Sequence, residues 1–437
     1  MLRRIAVLIC TVFVLFSFTS CNVLDADING LLTPPKQDGY TYPIQKALED
    51  SVGDKITLKY PISGNYRTAF TLMDIDGDTV NEAVALYSLT TDGTVSMHLN
   101  VIDYENDEWI SRSDVNIVGN GVEKIEFCDL NNDSIPEIIV GWMVYGTVDK
   151  QVGIYTYENG VLNQRAMEKY TDFVCTKFRD TKKDDFILLN LNSNEKTSTL
   201  KILELSGKGI VETGSAILDG GVTSYSTPLV ASLSDGTPAL FIDAIKGTGT
   251  LTEIVWFEKD RLRTIYDSAL GETNLTFRPS TLTYVTDING DLSVEIPVMS
   301  LLGSTAEKPD AEKVYVTKWC SFNGKKLKVL QNTFMNYNDG YFFTVPEKWL
   351  NKLYLARQPD LRQRIIYSYD EATALQGDEL FRIIAISPDD IDTGDIDLTG
   401  YEKIAENKEL LYFVKIAENN SFKIDIEFFK ENFALLG

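Results

Sequence analysis

Histidine is nearly missing from this chain: His98 is the only one among 437 residues. One imidazole argues against histidine-ligated metals and against Ser-His-Asp or Cys-His catalysis. On a strand between polar residues, His98 reads as structural. Cysteine is also scarce. Beyond the first 21 residues only Cys128, Cys175 and Cys320 remain, an odd count that makes no disulfide framework. No CxxC pair suggests zinc, so these three read as small buried hydrophobes. Positive charge is in deficit, with 41 Lys+Arg against 64 Asp+Glu and a net charge of −23. Such a surface repels nucleic acid and anionic headgroups and suits divalent cations or basic partners. There is no GxSxG elbow, P-loop, GxGxxG turn or HExxH helix, so neither a catalytic residue nor a small-molecule cofactor is expected.

Long apolar runs are absent except one, Ile5 to Phe16, preceded by Arg3 and Arg4. It is short for a membrane span and its flanks fit a signal peptide. The run ends in Phe18-Thr19-Ser20-Cys21, which resembles the lipobox of bacterial lipoproteins, with Phe18 in place of the usual Leu. The resemblance implies acylation of Cys21, removal of residues 1–20, and a lipid-anchored protein outside the cytoplasmic membrane. Residues 21–54 then read as a tether containing Pro34-Pro35, with an amphipathic helix from Ile44 to Val52.

The most informative pattern is an acidic ladder that occurs three times. Asp74, Asp76, Asp78 and Glu82 form the first copy; Asp129, Asn131, Asp133 and Glu137 the second; Asp287, Asn289, Asp291 and Glu295 the third. Each places side-chain oxygen at positions 1, 3, 5 and 9 of a loop flanked by apolar strands. A hard cation such as calcium takes six to eight oxygens, and alternate side chains on a tight turn can converge on it. The carbonyls at position 7, on Val80, Ile135 and Ser293, are further candidate ligands. Position 6 is not glycine and position 12 is not glutamate, so these are not EF-hands.

The loops resemble the FG-GAP and VCBS-type repeats of integrin-like β-propellers, in which a calcium loop joins two strands of a blade. The position-9 residues 82 and 137 lie 55 apart, and the interval to 295 holds room for two further copies. Asp185 and Ala239 occupy the corresponding places. The 185 copy has Lys177 and Arg179 where ligands would sit, so no metal is expected in either. About twenty residues after each loop an apolar strand meets a polar turn, as at Val101–Tyr104, Ile154–Tyr157, Ile202–Leu205, Ile254–Phe257 and Trp319–Phe322. Two hairpins per unit make a propeller blade of four short strands.

The expected architecture is an all-β propeller of about five blades over residues 55–331, followed by a small α+β domain over 332–437. The ring closes either through the five units alone or with the strand Lys55–Tyr60. In the C-terminal part, strands are expected at 363–367, 380–386 and 409–416, and one helix from Asp425 to Leu436 with Ile426, Phe429, Phe433 and Leu436 on one face. Trp142, Tyr145 and Tyr225 read as core or rim aromatics before they read as a sugar platform. The functional expectation is a non-enzymatic surface module with up to three structural calcium ions and a protein or glycan ligand. The alternative is a cell-surface hydrolase or lyase acting on polysaccharide.

Overall fold

The computed structural model describes residues 41–53, 55–144, 150–179, 184–207, 209–392 and 396–436. Cys21, the segment around it and Tyr145 lie outside the described residues. The chain is mostly β, and among the described residues no helix is long and apolar enough to cross a membrane. Two compact units divide it, one reaching to Val122 and including Tyr157–Leu162, the other made of Glu123–Thr156 and Asn163–Gly437.

In the first unit the strand Phe70–Met73 leads through the first acidic loop into Glu82–Thr91, then Thr94–Glu105 and the start of Glu108–Cys128, all antiparallel neighbours. The short strand Thr57–Leu58 pairs with Ser88 and Tyr87 of the same sheet. The segment expected at Lys55–Tyr60 thus joins the first repeat. The helix Thr41–Val52 buries Ile44 and Leu48 against Ala83, Ala85, Tyr87 and Ile102. Those apolar side chains alternate along the strand and so share one face.

The second unit repeats the same meander. Strands Asp172–Thr176, Asp185–Asn192, Thr197–Ser206 and Gly209–Leu218 form one four-stranded antiparallel sheet. Leu229–Ser232, Pro238–Lys246, Gly249–Glu258 and Arg261–Thr264 form the next, with Ser224–Tyr225 added at its edge. Successive sheets pack face to face. Leu188 and Phe186 meet Ile139 and Ile154 on one side of the third repeat. Ile187 and Leu189 meet Leu240, Ile242 and Val255 on the other. A strand buried on both faces explains why Phe186–Leu189 is an unbroken apolar run.

The fifth repeat departs from the pattern. Ile296–Leu301, Tyr315–Phe322 and Leu327–Asn336 are joined by Tyr341–Thr344 and then by the C-terminal strand Phe433–Leu435. One strand therefore runs through residue 331, and the chain end completes that sheet. The helix expected over 425–436 stops earlier. Asp425 caps it by accepting the Phe428 N–H, and it spans only Ile426–Asn432. Phe433 turns extended, because its neighbours gain a β ladder with Tyr341–Phe343. The run Phe433-Ala434-Leu435-Leu436 suits either period, and tertiary pairing decides it. A separate five-stranded sheet of Leu353–Gln358, Gln363–Asp370, Leu375–Ile386, Leu411–Ile416 and Glu402–Glu406 covers the expected C-terminal strands.

The connection after Arg261–Thr264 folds back over Gly249–Glu258 through buried polar contacts. Arg278 is fully buried; it donates to Asp243 Oδ1 at 2.8 Å, Thr252 Oγ1 at 3.0 Å and the Thr283 carbonyl at 2.6 Å. A Cβ on Gly249 would stand 2.4 Å from the Arg278 carbonyl, so only glycine permits this approach. Beside it, buried Glu253 accepts the Asp219 N–H and the Thr273 hydroxyl. Burial pushes its pKa from 4.5 up to about 7. The unfolded chain releases this proton near pH 4.5 and the folded chain only near 7, so stability falls as pH rises between the two. At 1.36 kcal/mol per unit the group contributes a loss of roughly 3 kcal/mol. We expect Glu253→Gln to remove that slope in denaturant titrations and to exceed the natural chain in stability at pH 8. Parallel pH curves for the two chains would contradict this.

Candidate metal loops

The three acidic loops share one hydrogen-bond scheme. In the first, Asp74 accepts the N–H groups of Gly77 at 2.7 Å and Thr79 at 3.0 Å, Asp76 accepts Asp78 N–H, and Asp78 accepts Val80 N–H. Asp129 and Asp287 accept the N–H groups of positions 4 and 6 in the same way. Asn131 and Asn289 take the position-5 N–H, while Asp133 and Asp291 take position 7. Every loop curls around its position-1 carboxylate.

That curl requires left-handed backbone at two places. Position 4 has φ of 83° at Gly77, 65° at Asn132 and 76° at Gly290; position 6 has 75° at Thr79, 70° at Ser134 and 69° at Leu292. Glycine and asparagine tolerate this, whereas β-branched Thr79 and bulky Leu292 do not adopt it freely. Leu292 is 94% exposed, so packing does not compensate the strain. The same left-handed turn recurs at the same two positions in all three loops.

Position 9 closes each loop from below. Glu82 Oε2 accepts Ile75 N–H at 2.9 Å, Glu137 Oε2 accepts Leu130 N–H at 2.7 Å, and Glu295 Oε2 accepts Ile288 N–H at 3.1 Å. All three glutamates are buried. The second oxygen, Oε1, has no hydrogen-bond partner in Glu82 or Glu295. In Glu137 it takes a 3.3 Å bond from the Asn131 amide, which also donates to Asp133. Burial first, then the neighbouring loop aspartates, raises these glutamates; Glu82 and Glu137 are pushed up to about 7. A buried acceptor without a donor is costly, and either a proton or a cation would satisfy it.

The first loop is the most charge-dense. Carboxylate oxygens of Asp74, Asp76 and Asp78 lie within 4.8 Å of one another. The pairing of Ala83 with Ile102 brings Asp103 directly across from Glu82. Asp103 also stands 3.9 Å from the Arg112 Nε. The buried Tyr157 hydroxyl has no hydrogen-bond partner and feels Asp103, Glu82 and Asp76. Sequence reading missed Asp103 and Tyr157, because cross-strand register is what recruits them.

The 185 copy shows what happens without the ladder. Asp185 is fully buried and accepts the Phe178 N–H, the same link from position 2 to position 9. Its other oxygen receives the Arg179 guanidinium, with Nε at 2.7 Å and Nη2 also bonded. Arg179 Nη2 bonds Glu204 as well, and the pairing of Phe186 with Leu203 sets Glu204 where Asp103 stands in the first repeat. In this copy a side-chain guanidinium thus stands beside the position-9 carboxylate. In the fourth copy Ala239 pairs with Trp256 and no charge is present at either position.

His98 joins a polar network on one sheet face. Its ring stacks on Tyr87 at 4.7 Å, its Nε2 meets Ser96 Oγ at 2.8 Å, and its Nδ1 meets Asp114 Oδ1 at 2.7 Å. Tyr87 and Asn100 occupy the other Asp114 oxygen, so the chain of contacts closes on itself and fastens three strands. Trp142 is buried and donates to Tyr155, while half-buried Tyr225 shares a bond with Ser198. Cys128 and Cys320 are buried, and all three described cysteines are free thiols.

No protein-family model matches the chain, and no curated protein matches it. Among solved structures it is similar to the exotype rhamnogalacturonan lyase YesX, at 12% identity over 71% of this chain and 65% of that one, TM-score 0.32. It is also similar to the periplasmic gluconolactonase PpgL of Pseudomonas aeruginosa, at 10% identity over 74% and 87%, TM-score 0.26. The Dos1 propeller is a third, at 10% identity over 70% and 78%, TM-score 0.28. The chain spans 65% of the length of the lyase YesX.

Proposed function

We propose that this chain is a lipid-anchored, extracytoplasmic recognition or scaffold module built as a calcium-stiffened propeller. The observation that carries the reading is the buried position-9 glutamate with an oxygen facing a ladder of side-chain oxygens, present in three loops of one geometry. Calcium there satisfies the buried acceptor, relieves repulsion among the aspartates and fixes the left-handed turns. The ions are structural, the ligands being Asp74, Asp76, Asp78, Glu82 and their counterparts, with the carbonyls of Val80, Ile135 and Ser293. Face-to-face four-stranded meanders support the propeller reading, with about five blades in a ring. Acylated Cys21 holds the protein at the membrane, and the partner is a protein or a glycan.

Two measurements test this. Calorimetric titration of the metal-free chain is expected to register three equivalents of calcium, and Cys21→Ala is expected to move the protein from the membrane to the soluble fraction. Absence of calcium heat would remove the metal from the reading. Unchanged membrane association of the variant would remove the anchor.

A further inference from the structure

The five-stranded C-terminal sheet buries one face in the largest core cluster, which includes Leu353, Leu355, Ile366 and Ile383. Side chains two apart on a strand share a face, so this face continues from Leu355 to 357 and from Ile366 to 364. At the end of that face, where Arg357 is exposed and Arg364 half-buried, the apolar alternation gives way. The sequence has Arg357 and Arg364, and the two are directly paired across the strands. Like charges directly opposite destabilise a sheet. Among the described residues neither guanidinium has a carboxylate within ion-pair distance: Arg357 donates to the Lys313 carbonyl at 3.0 Å and Arg364 to Asn336 Oδ1 at 3.2 Å. Partial desolvation, then the Arg364 charge, lowers the Arg357 pKa although its side chain stays exposed.

Both arginines line a cleft of about 530 Å³ with Arg362, Asn338, Asp339 and Tyr354. Arg362 enters it from a left-handed turn, φ 46°, and stands 3.9 Å from Asp339. A second hollow of about 190 Å³ shares Arg357 and Arg364 and adds Tyr337 and Tyr341. The buried Tyr341 hydroxyl makes no hydrogen bond of acceptable geometry, although Asn336 is close. Three guanidinium groups line this cleft in a chain of net charge −23, beside two carboxylates, Asp339 and Glu312.

We propose that this cleft binds a hydroxylated carboxylate of the uronic acid class, with the carboxylate on the Arg357–Arg364 pair and ligand hydroxyl groups on Asp339 and Asn338. A guanidinium fork matches the planar carboxylate bidentately. One oxygen of the buried Asp339 carboxylate accepts the Asn336 amide at 2.8 Å; the other is an acceptor for ligand hydroxyl groups and disfavours a bare tetrahedral anion. The site is independent of the acidic loops and of calcium, and it goes beyond the reading above by giving a ligand class.

The test is calorimetry and thermal unfolding of the purified chain with glucuronate and galacturonate, beside glucose and inorganic phosphate. Uronates are expected to bind and raise the melting temperature, with glucose silent and phosphate much weaker. Arg357→Gln with Arg364→Gln is expected to weaken uronate binding at least tenfold. Its ligand-free melting temperature should be equal or higher, since the like-charge pair is gone. Should that chain fail to fold, Arg364→Lys keeps the charge but loses the fork and should still weaken binding severalfold. No uronate binding by the natural chain, phosphate binding as tight as uronate, or undiminished binding by the variants would overturn the proposal.

Discussion

Chelation of calcium is expected to lower the melting temperature of this chain by roughly 5–10 °C for each occupied loop. At free calcium one hundred times Kd, a site adds about 2.7 kcal/mol to the folded state. A kilocalorie corresponds to about 2–4 °C for domains of 150–250 residues. Asp74→Ala, Asp129→Ala and Asp287→Ala each remove the central carboxylate of one loop, which also holds N–H groups at positions 4 and 6. Each variant therefore loses some stability in EDTA too. The informative quantity is the calcium-dependent difference, which should shrink by about one third per variant. Asp103→Asn should diminish the first loop's share alone, since Asp103 faces Glu82 only there. If EDTA and millimolar calcium give the same melting curve, the loops are turns without a metal role.

Arg179→Ala is expected to cost roughly 3–5 kcal/mol, the usual penalty for stripping the partner from buried charge. Asp185 is fully buried and Glu204 nearly so, and Arg179 serves both. The loss should be the same in EDTA and in calcium, because that loop supplies Lys177 and Arg179 where the acidic copies supply ligands. Denaturant unfolding under both conditions reads the difference. Rescue by calcium would mean that an ion enters the vacated place, and a cost below about 1 kcal/mol would mean the pair is solvated.

The loops were legible because their chemistry is local: four oxygens at fixed offsets, with apolar strands on either side, survive in one dimension. The hairpins were legible for the same reason. Register was not. Whether Asp103 faces Glu82, or Glu204 faces Asp185, depends on pairing between strands some twenty residues apart, which the sequence does not state. Lys177 and Arg179 indicated a copy without the ladder, but the pattern did not reveal that Arg179 itself is the cation. Nor did any periodicity point to Arg278, whose burial depends on an irregular connection returning to Gly249. At the C-terminus an apolar run fitted a helix and a strand equally, and the free edge at Tyr341–Thr344 decided between them.

The built-in guanidinium of the third repeat bears on how the chain loses order. Repeat stability is a sum of local terms and nearest-neighbour contacts, so segments can open separately. On the proposed reading the first, second and fifth repeats would depend on an external ion, while the third carries its own guanidinium and the fourth has no charge at its position-9 pair. Amide protection in Asp185–Asn192 and Thr197–Ser206 should therefore outlast that in Glu82–Thr91 or Ile296–Leu301 once calcium is withdrawn. On that reading a decalcified chain would open in its first, second and fifth repeats, exposing new protease sites on either side of a third and fourth repeat that stay folded.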